Sequence, residues 1–158
     1  MSDEPPRPET SGRAGFGGIR PGLRGELSWL VTADRTAAGA GHDAEVAVFS
    51  TPHMGLLAEL ACGEALTGRL PAGTQHVGTV LEVHHLEASP AGFRVTARAE
   101  LTEVEGRTLT FRVEISDEVG RVGYVVHRRM LVDWRTFVER LGRRTREAGG
   151  DAAGSPAR

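Results

Sequence analysis

Lysine is absent from this chain of 158 residues, and all 19 basic side chains are arginine. Schiff-base chemistry, a phosphate-loop lysine and a serine–lysine dyad are thereby excluded, because each needs a side-chain amine. Cysteine is nearly absent: a lone Cys62 can form no disulfide within the chain and cannot supply a cysteine-rich zinc site. A cytoplasmic location is therefore expected. No apolar run approaches the roughly 18 residues of a membrane span. The N-terminal MSDEPPRPETSGR has neither the positive nor the apolar region of a secretory signal. An excess of either charge is missing as well, since 21 acidic residues face 19 basic ones for a net charge of -2. So even a balance gives no broad electrostatic grip on nucleic acid or an anionic membrane. There is no G-x-S-x-G elbow, no H-E-x-x-H and no paired-cysteine motif, and no metal site is expected.

What is present organises into one domain between two polar tails. Residues 1–22 and 147–158 are rich in Pro, Gly, Arg, Ser and acidic residues and poor in large apolar ones, so both are expected to be disordered. Residues 23–146 are long enough for one modest core. Within them Glu26–Ala33 reads as a strand. Thr51-Pro52 reads as a helix start, with Thr51 as the cap and Pro52 at the first helical position. The segment that follows, to about Thr67, is apolar nearly all the way round, as expected for a helix buried on most sides; Gly68 and Pro71 end it. Phe93, Val95, Ala97, Ala99 and Leu101 alternate with polar residues, as do Leu109, Phe111, Val113 and Ile115, predicting a long antiparallel hairpin that turns at Glu105-Gly106. Further strands are expected at Thr79–Leu86 and Val122–Val132. Asp133 then caps a terminal amphipathic helix carrying Trp134, Phe137, Val138 and Leu141 on one side, whose arginines read as a solvated face. The sum is an α+β fold, a long helix wrapped by an antiparallel sheet.

Three residues sit where composition alone does not explain them. Glu59 is a carboxylate in the middle of the apolar helix, where burial without partners is expensive. A position facing a solvent channel or a dimer seam would account for it equally well. His84 and His85 are adjacent on a strand and point to opposite faces, so they cannot chelate one metal together and one of them faces inward. An inward His85 is either a hydrogen-bonded core residue or a proton-transfer group with a suitably near-neutral pKa. Thr51 puts a hydroxyl at a helix start, where it can cap the helix or stand beside backbone N–H groups able to hold an oxyanion.

Three blocks carry a resemblance. VFSTPHMGLLAELAC (Val48 to Cys62) holds Thr51, Glu59 and a Glu-x-Ala-Cys helix segment. Gly78 to Val113 holds Gly78-Thr79, His85, Pro90-x-Gly92, Ala99-Glu100-Leu101 and Val104-Glu105-Gly106-Arg107. The third is His127-x-Arg129. In order and spacing, from about Val48 to Arg129, the chain resembles the fluoroacetyl-CoA thioesterase family of hotdog-fold proteins. The resemblance implies a homodimer with two active sites at the subunit boundary. It implies Thr51, Glu59 and His85 as the catalytic set, Gly78 near the thioester carbonyl, and Arg129 near the acyl or pantetheine end. No cofactor is implied beyond coenzyme A or phosphopantetheine as part of the substrate. A thiolate leaves without the strong acid assistance an amide needs. His85 is thus expected to act as general base, with Thr51 or Glu59 attacking or positioning water. In the member of the family that selects fluoroacetyl groups, an aromatic lid residue lies just before the Val-Phe pair. Here Glu45 stands near that position and no aromatic residue occurs from Gly39 to Val48. A different acyl group is expected, on an acyl-CoA or a carrier-protein thioester. Two alternatives share the fold: an acyl-thioester hydratase or dehydratase, and a non-enzymatic acyl-thioester binding module.

Overall fold

The computed structural model describes residues 16–43 and 45–149. The chain runs β1 (Arg24–Leu30), a 3-10 turn (Ala33–Arg35), α1 (Thr51–Leu66), β2 (Thr74–His85), β3 (Arg94–Glu105), β4 (Thr108–Ser116), β5 (Arg121–Asp133) and α2 (Trp134–Glu147). The five strands form one antiparallel sheet in the order β1-β3-β4-β5-β2. α1 packs against all five of them. This is the α+β arrangement the alternation predicts, with the first strand placed two residues earlier and β2 extended back to Thr74.

The hairpin follows its pattern closely. Val95, Ala97, Ala99 and Leu101 of β3 and Leu109, Phe111, Val113 and Ile115 of β4 are all buried beneath α1. The turn closes at Gly106, whose φ of 58° is in the left-handed region that glycine tolerates. From α1 the core takes Met54, Leu57, Ala58, Ala61, Cys62, Ala65 and Leu66.

Three expectations change. Phe16–Gly22, assigned by composition to the tail, is part of the folded body. Ile19 is buried, Phe16 packs on the core, and the Gly22 amide bonds the Leu101 carbonyl. Two apolar side chains suffice to anchor an otherwise polar stretch when β3, running on past the start of β1, offers it a hydrogen bond. At the other end Glu147, also assigned to a tail, is the last residue of α2, capped by Ala148; residues 1–15 and 150–158 of the expected tails lie outside the described residues. Second, the α1 cap is Ser50, whose Oγ accepts from the His53 amide, so Thr51 is the first helical residue and Pro52 the second. Third, α1 is not buried all round. Leu56 and Leu60, one turn apart, are 45% and 43% exposed, because the sheet covers only the opposite side of the helix. At the C-terminal end Asp133 caps α2 by accepting from the Thr136 amide, as the sequence suggests, but no α2 residue is buried.

The closest approach in the core lies between α1 and β1. A Cβ on Gly25 would overlap the Ala61 carbonyl oxygen and the Ala65 amide, whereas one on Gly63, on the other side of α1, meets nothing within 4 Å. Gly25→Ala is therefore expected to destabilise the fold by about 1–3 kcal/mol through overpacking. Gly63→Ala should stabilise it by roughly 0.5–1 kcal/mol by restricting the unfolded helix segment. Urea titration of the two variants, giving opposite shifts of midpoint, checks both.

Candidate active site

Because Ser50 takes over the capping of α1, the Thr51 side chain is released from that role. Its Oγ1 lies 2.9 Å from Nδ1 of His85, the last residue of β2. The neighbouring histidine points the other way, as strand alternation requires. His84 stacks on Tyr124 with ring centroids 4.2 Å apart and bonds Glu82. Burial pulls the His85 pKa below its usual 6.5, so the ring is neutral at pH 7. Its Nε2 is buried without a partner. The pair borders a cleft of about 470 Å³ lined also by Val46, Val48, Phe49, His42 and Asp43. Glu45 is exposed and does not line it.

A second polar cluster lies further along the helix. Glu59 is half-buried, and its Oε1 is 3.8 Å from an amino nitrogen of Arg129, whose other amino nitrogen donates to the Glu59 carbonyl at 2.7 Å. Arg129 is only 6% exposed, and Gly78 pairs with it directly across β2 and β5. A Cβ on Gly78 would stand 3.1 Å from Glu59 Oε1 and 3.1 Å from Cε1 of His127. The missing side chain therefore leaves a notch walled by a carboxylate and an imidazole. His127 Nδ1 lies 2.7 Å from the Val80 carbonyl, which can only accept, so Nδ1 carries the proton and Nε2 is a bare lone pair. Burial, helped by the Arg129 charge, lowers its pKa, and the same two causes lower that of His76 nearby. Cys62 is fully buried and its thiol is pushed up to about 12, chiefly by burial, which leaves it inert as a nucleophile.

Of the five residues singled out in the sequence, the fold gathers Thr51 with His85, and Glu59 with Gly78 and Arg129. It does not join the two groups within one chain. Eight residues separate Thr51 from Glu59 on α1, a rise of about 12 Å. Sequence reasoning missed His127 and His76 as members of the second cluster. The signal for His127 was its i, i+2 spacing from Arg129, which puts both on the inner face of β5. His76 carried no comparable signal. Among the described residues no group of three or more His, Cys, Asp or Glu is placed to hold a metal ion.

A long helix seated on one face of a single five-stranded antiparallel sheet is the hotdog arrangement of the thioesterase superfamily. The chain belongs to the family described as fluoroacetyl-CoA-specific thioesterase, whose model matches residues 31–135. It is 38% identical over 98 residues to a fluoroacetyl-CoA thioesterase of Streptantibioticus cattleyicolor, covering 62% of this chain and 70% of that one. A solved structure of fluoroacetyl-CoA thioesterase superposes with a TM-score of 0.70 at 34% identity, covering 80% of this chain and 97% of the other. A thioesterase superfamily member of Thermus thermophilus gives 0.73 at 26% identity over 83% and 96%.

Three histidines, His76, His85 and His127, have pKa values below the usual 6.5 in the folded chain. The unfolded chain then binds more protons than the folded one once pH drops below about 6.5, so the stability these groups allow above that pH is lost as pH falls. The melting temperature should drop between pH 7 and pH 5. A shallower drop in His127→Asn, followed by calorimetry, would locate part of the effect.

Proposed function

We propose that the protein hydrolyses an acyl-CoA thioester with His85 as general base. The observation that carries this reading is the Thr51–His85 pair, a neutral imidazole hydrogen-bonded to a hydroxyl at the start of α1 and bordering a cleft. His85 takes a proton from water as the water oxygen bonds to the thioester carbon. The tetrahedral oxyanion then collapses, the C–S bond breaks, and the thiolate recovers the proton. Thr51 orients the imidazole. The helix start supplies one amide for the oxyanion, that of Thr51, because Pro52 has none and His53 and Met54 both bond to Ser50. Gly78 lies near the thioester carbonyl and Arg129 near the acyl or pantetheine end. No cofactor takes part beyond the coenzyme A or phosphopantetheine of the substrate.

Glu59 serves as nucleophile or water-positioning group, but it cannot share a water with His85 of its own chain across about 12 Å of helix. We therefore place the complete site at a homodimer seam, where His85 and Thr51 of one copy work with Glu59 of the other. The surface for such a seam is present. β2 is an edge strand of twelve residues, and exposed Val80 and Leu81 lie on it, with Leu81 packed against Gly55 of α1 near exposed Leu56 and Leu60. An open edge strand of that length invites pairing. The enzyme acts in the cytoplasm. The lack of an aromatic residue from Gly39 to Val48 argues for an acyl group other than fluoroacetyl, carried by coenzyme A or by a carrier protein.

Thiol release measured across short, branched, aromatic and polar acyl-CoA thioesters should find turnover. His85→Ala should lose about 10²–10⁴-fold in kcat, and Glu59→Gln should be strongly reduced. Normal turnover in the His85 variant rejects the mechanism, and acyl mass change without thiol release selects hydration chemistry instead. Mixed dimers of His85→Ala with Glu59→Gln should recover activity that neither parent has, because one of the two seams is then intact. A site contained within one chain gives no recovery. Sedimentation of the wild-type protein as a monomer at assay concentration would exclude the seam.

A further inference from the structure

The α2 helix closes the fold with its apolar surface unused. Trp134, Phe137, Val138 and Leu141 recur at i, i+3, i+4 and i+7 and form one stripe. Trp134, Val138 and Leu141 are each nearly half exposed, and no residue of the helix is buried. Five arginines share α2 with only two glutamates, Glu139 and Glu147, and none of the five makes an ion pair with a described residue. A bare apolar stripe rimmed by charge of one sign marks an interaction surface.

The mouth of the Thr51–His85 cleft has the complementary character. Val46, which lines it, is exposed, and so is Leu86, the residue after His85. Asp43 lines it as well, and Asp43, Glu45 and Glu87 are exposed and make no ion pair among the described residues. Arg35, whose carbonyl accepts from the Ser50 amide, turns its guanidinium over the Trp29 ring instead. Within one chain the two surfaces stand at opposite ends of β2. α2 starts beside its first residue, since Thr74 pairs with Asp133 and the Trp134 amide donates to the Gly73 carbonyl, whereas His85 is its last. The strand between them spans roughly 35 Å.

The homodimer seam removes that separation. For His85 of one copy to meet Glu59 of the other, it must lie near the other copy's Gly78, the β2 residue that the Glu59 carboxylate approaches. With both helices on one face of the joined sheet, the two β2 strands run antiparallel about a two-fold axis. Thr74, four residues before Gly78, is thereby carried past His85 to the segment Leu86–Ser89 of the facing copy. That segment borders the cleft, because the Ser89 carbonyl accepts from the Phe49 amide at 2.8 Å and Val48 bridges Pro90. Where Thr74 goes, α2 goes with it.

We propose that α2 of each copy lies across the mouth of the other copy's cleft, its stripe against Val46 and Leu86 and its arginines toward Asp43, Glu45 and Glu87. Trp134 then gives, from the second chain, an aromatic wall to a cleft whose own loop from Gly39 to Val48 has none. The inference rests on the seam of the proposed function and adds to it the element that closes each site.

Cross-linking tests this without a substrate. Cys62 is fully buried and inert, so an introduced cysteine is the one reactive thiol. Chains carrying Val46→Cys and chains carrying Val138→Cys, both at exposed positions, are co-expressed and treated with a short bis-maleimide. A covalent dimer should take up to about half of the chains, the share that mixed pairing allows, and either variant alone should give almost none. On the acyl-CoA turned over best, a cleft wall binds ground state and transition state alike, so Trp134→Ala should raise KM about tenfold with kcat nearly unchanged. Trp134→Phe should keep most of the wild-type affinity. A dimer by sedimentation that yields no more product from the mixture than from either variant alone overturns the inference and leaves the seam standing. An unchanged KM in Trp134→Ala overturns the wall assigned to that residue. A monomer by sedimentation rejects the seam itself, and this inference with it. Flotation of the wild-type protein with phosphatidylglycerol vesicles, in place of a cross-link, assigns the stripe to a lipid surface and overturns the inference too.

Discussion

The close seating of α1 on its sheet is the constraint on which the rest of the molecule depends. A sixteen-residue helix can lie across five strands only where its buried side is small enough to let backbones approach, and α1 presents Gly55, Ala58, Ala61 and Ala65 there. Opposite Ala61 and Ala65, β1 responds with Gly25, which has no room for a Cβ. Larger residues, Met54, Leu57 and Leu66, fill the flanks of the same seat. Interior packing this close leaves few alternatives to any one side chain.

That seating places polar groups at fixed depths. Arg129 reaches from β5 to the carbonyl of Glu59 in mid-helix, and His127, two residues earlier on the same strand face, is held through its Nδ1 by the Val80 carbonyl. The bulge between Gly78 and Val80 shifts the register of β2 against β5 at this point, and bulges re-aim side chains where pairing is interrupted. Burial around the cluster keeps His76 and His127 neutral and the Cys62 thiol protonated, so its capacity is for hydrogen bonding and electrostatics rather than for thiolate chemistry. At the far end of the helix the division of labour is different. Ser50 satisfies the helix start, and the hydroxyl next to it is left to the imidazole of His85.

The rigid helix that creates both polar clusters also keeps them apart. A straight helix cannot bring its first turn to its third, whatever the side chains do, and Leu56 and Leu60 leave an exposed apolar strip on the same helix. The homodimer proposed above would cover this apolar strip and bring the Thr51–His85 pair of one copy to Glu59 of the other.

Much of this was legible in the chain itself. Period-two alternation in β3 and β4 specified which residues are buried, because a one-residue slip would turn every apolar side chain to water. Gly68, Gly106 and Asp133 marked ends and turns by local chemistry that needs no partner. The order of the Thr51, Glu59, His85 and Arg129 segments carried the family. What the sequence could not settle were facts of proximity between distant segments. Ser50 and Thr51 are equivalent as caps on paper, and only the approach of His85, 34 residues away, separates their roles. Ile19 and Phe16 read as stray apolar residues in a polar tail until the core packs against them and Gly22 bonds Leu101 of β3. His127 and Glu59 are 68 positions apart, and nothing local to either predicts that both wall one notch. Local patterns determine elements because their energies are local. The tertiary structure alone decided which polar groups share a desolvated space, since that depends on how the helix is seated across the sheet.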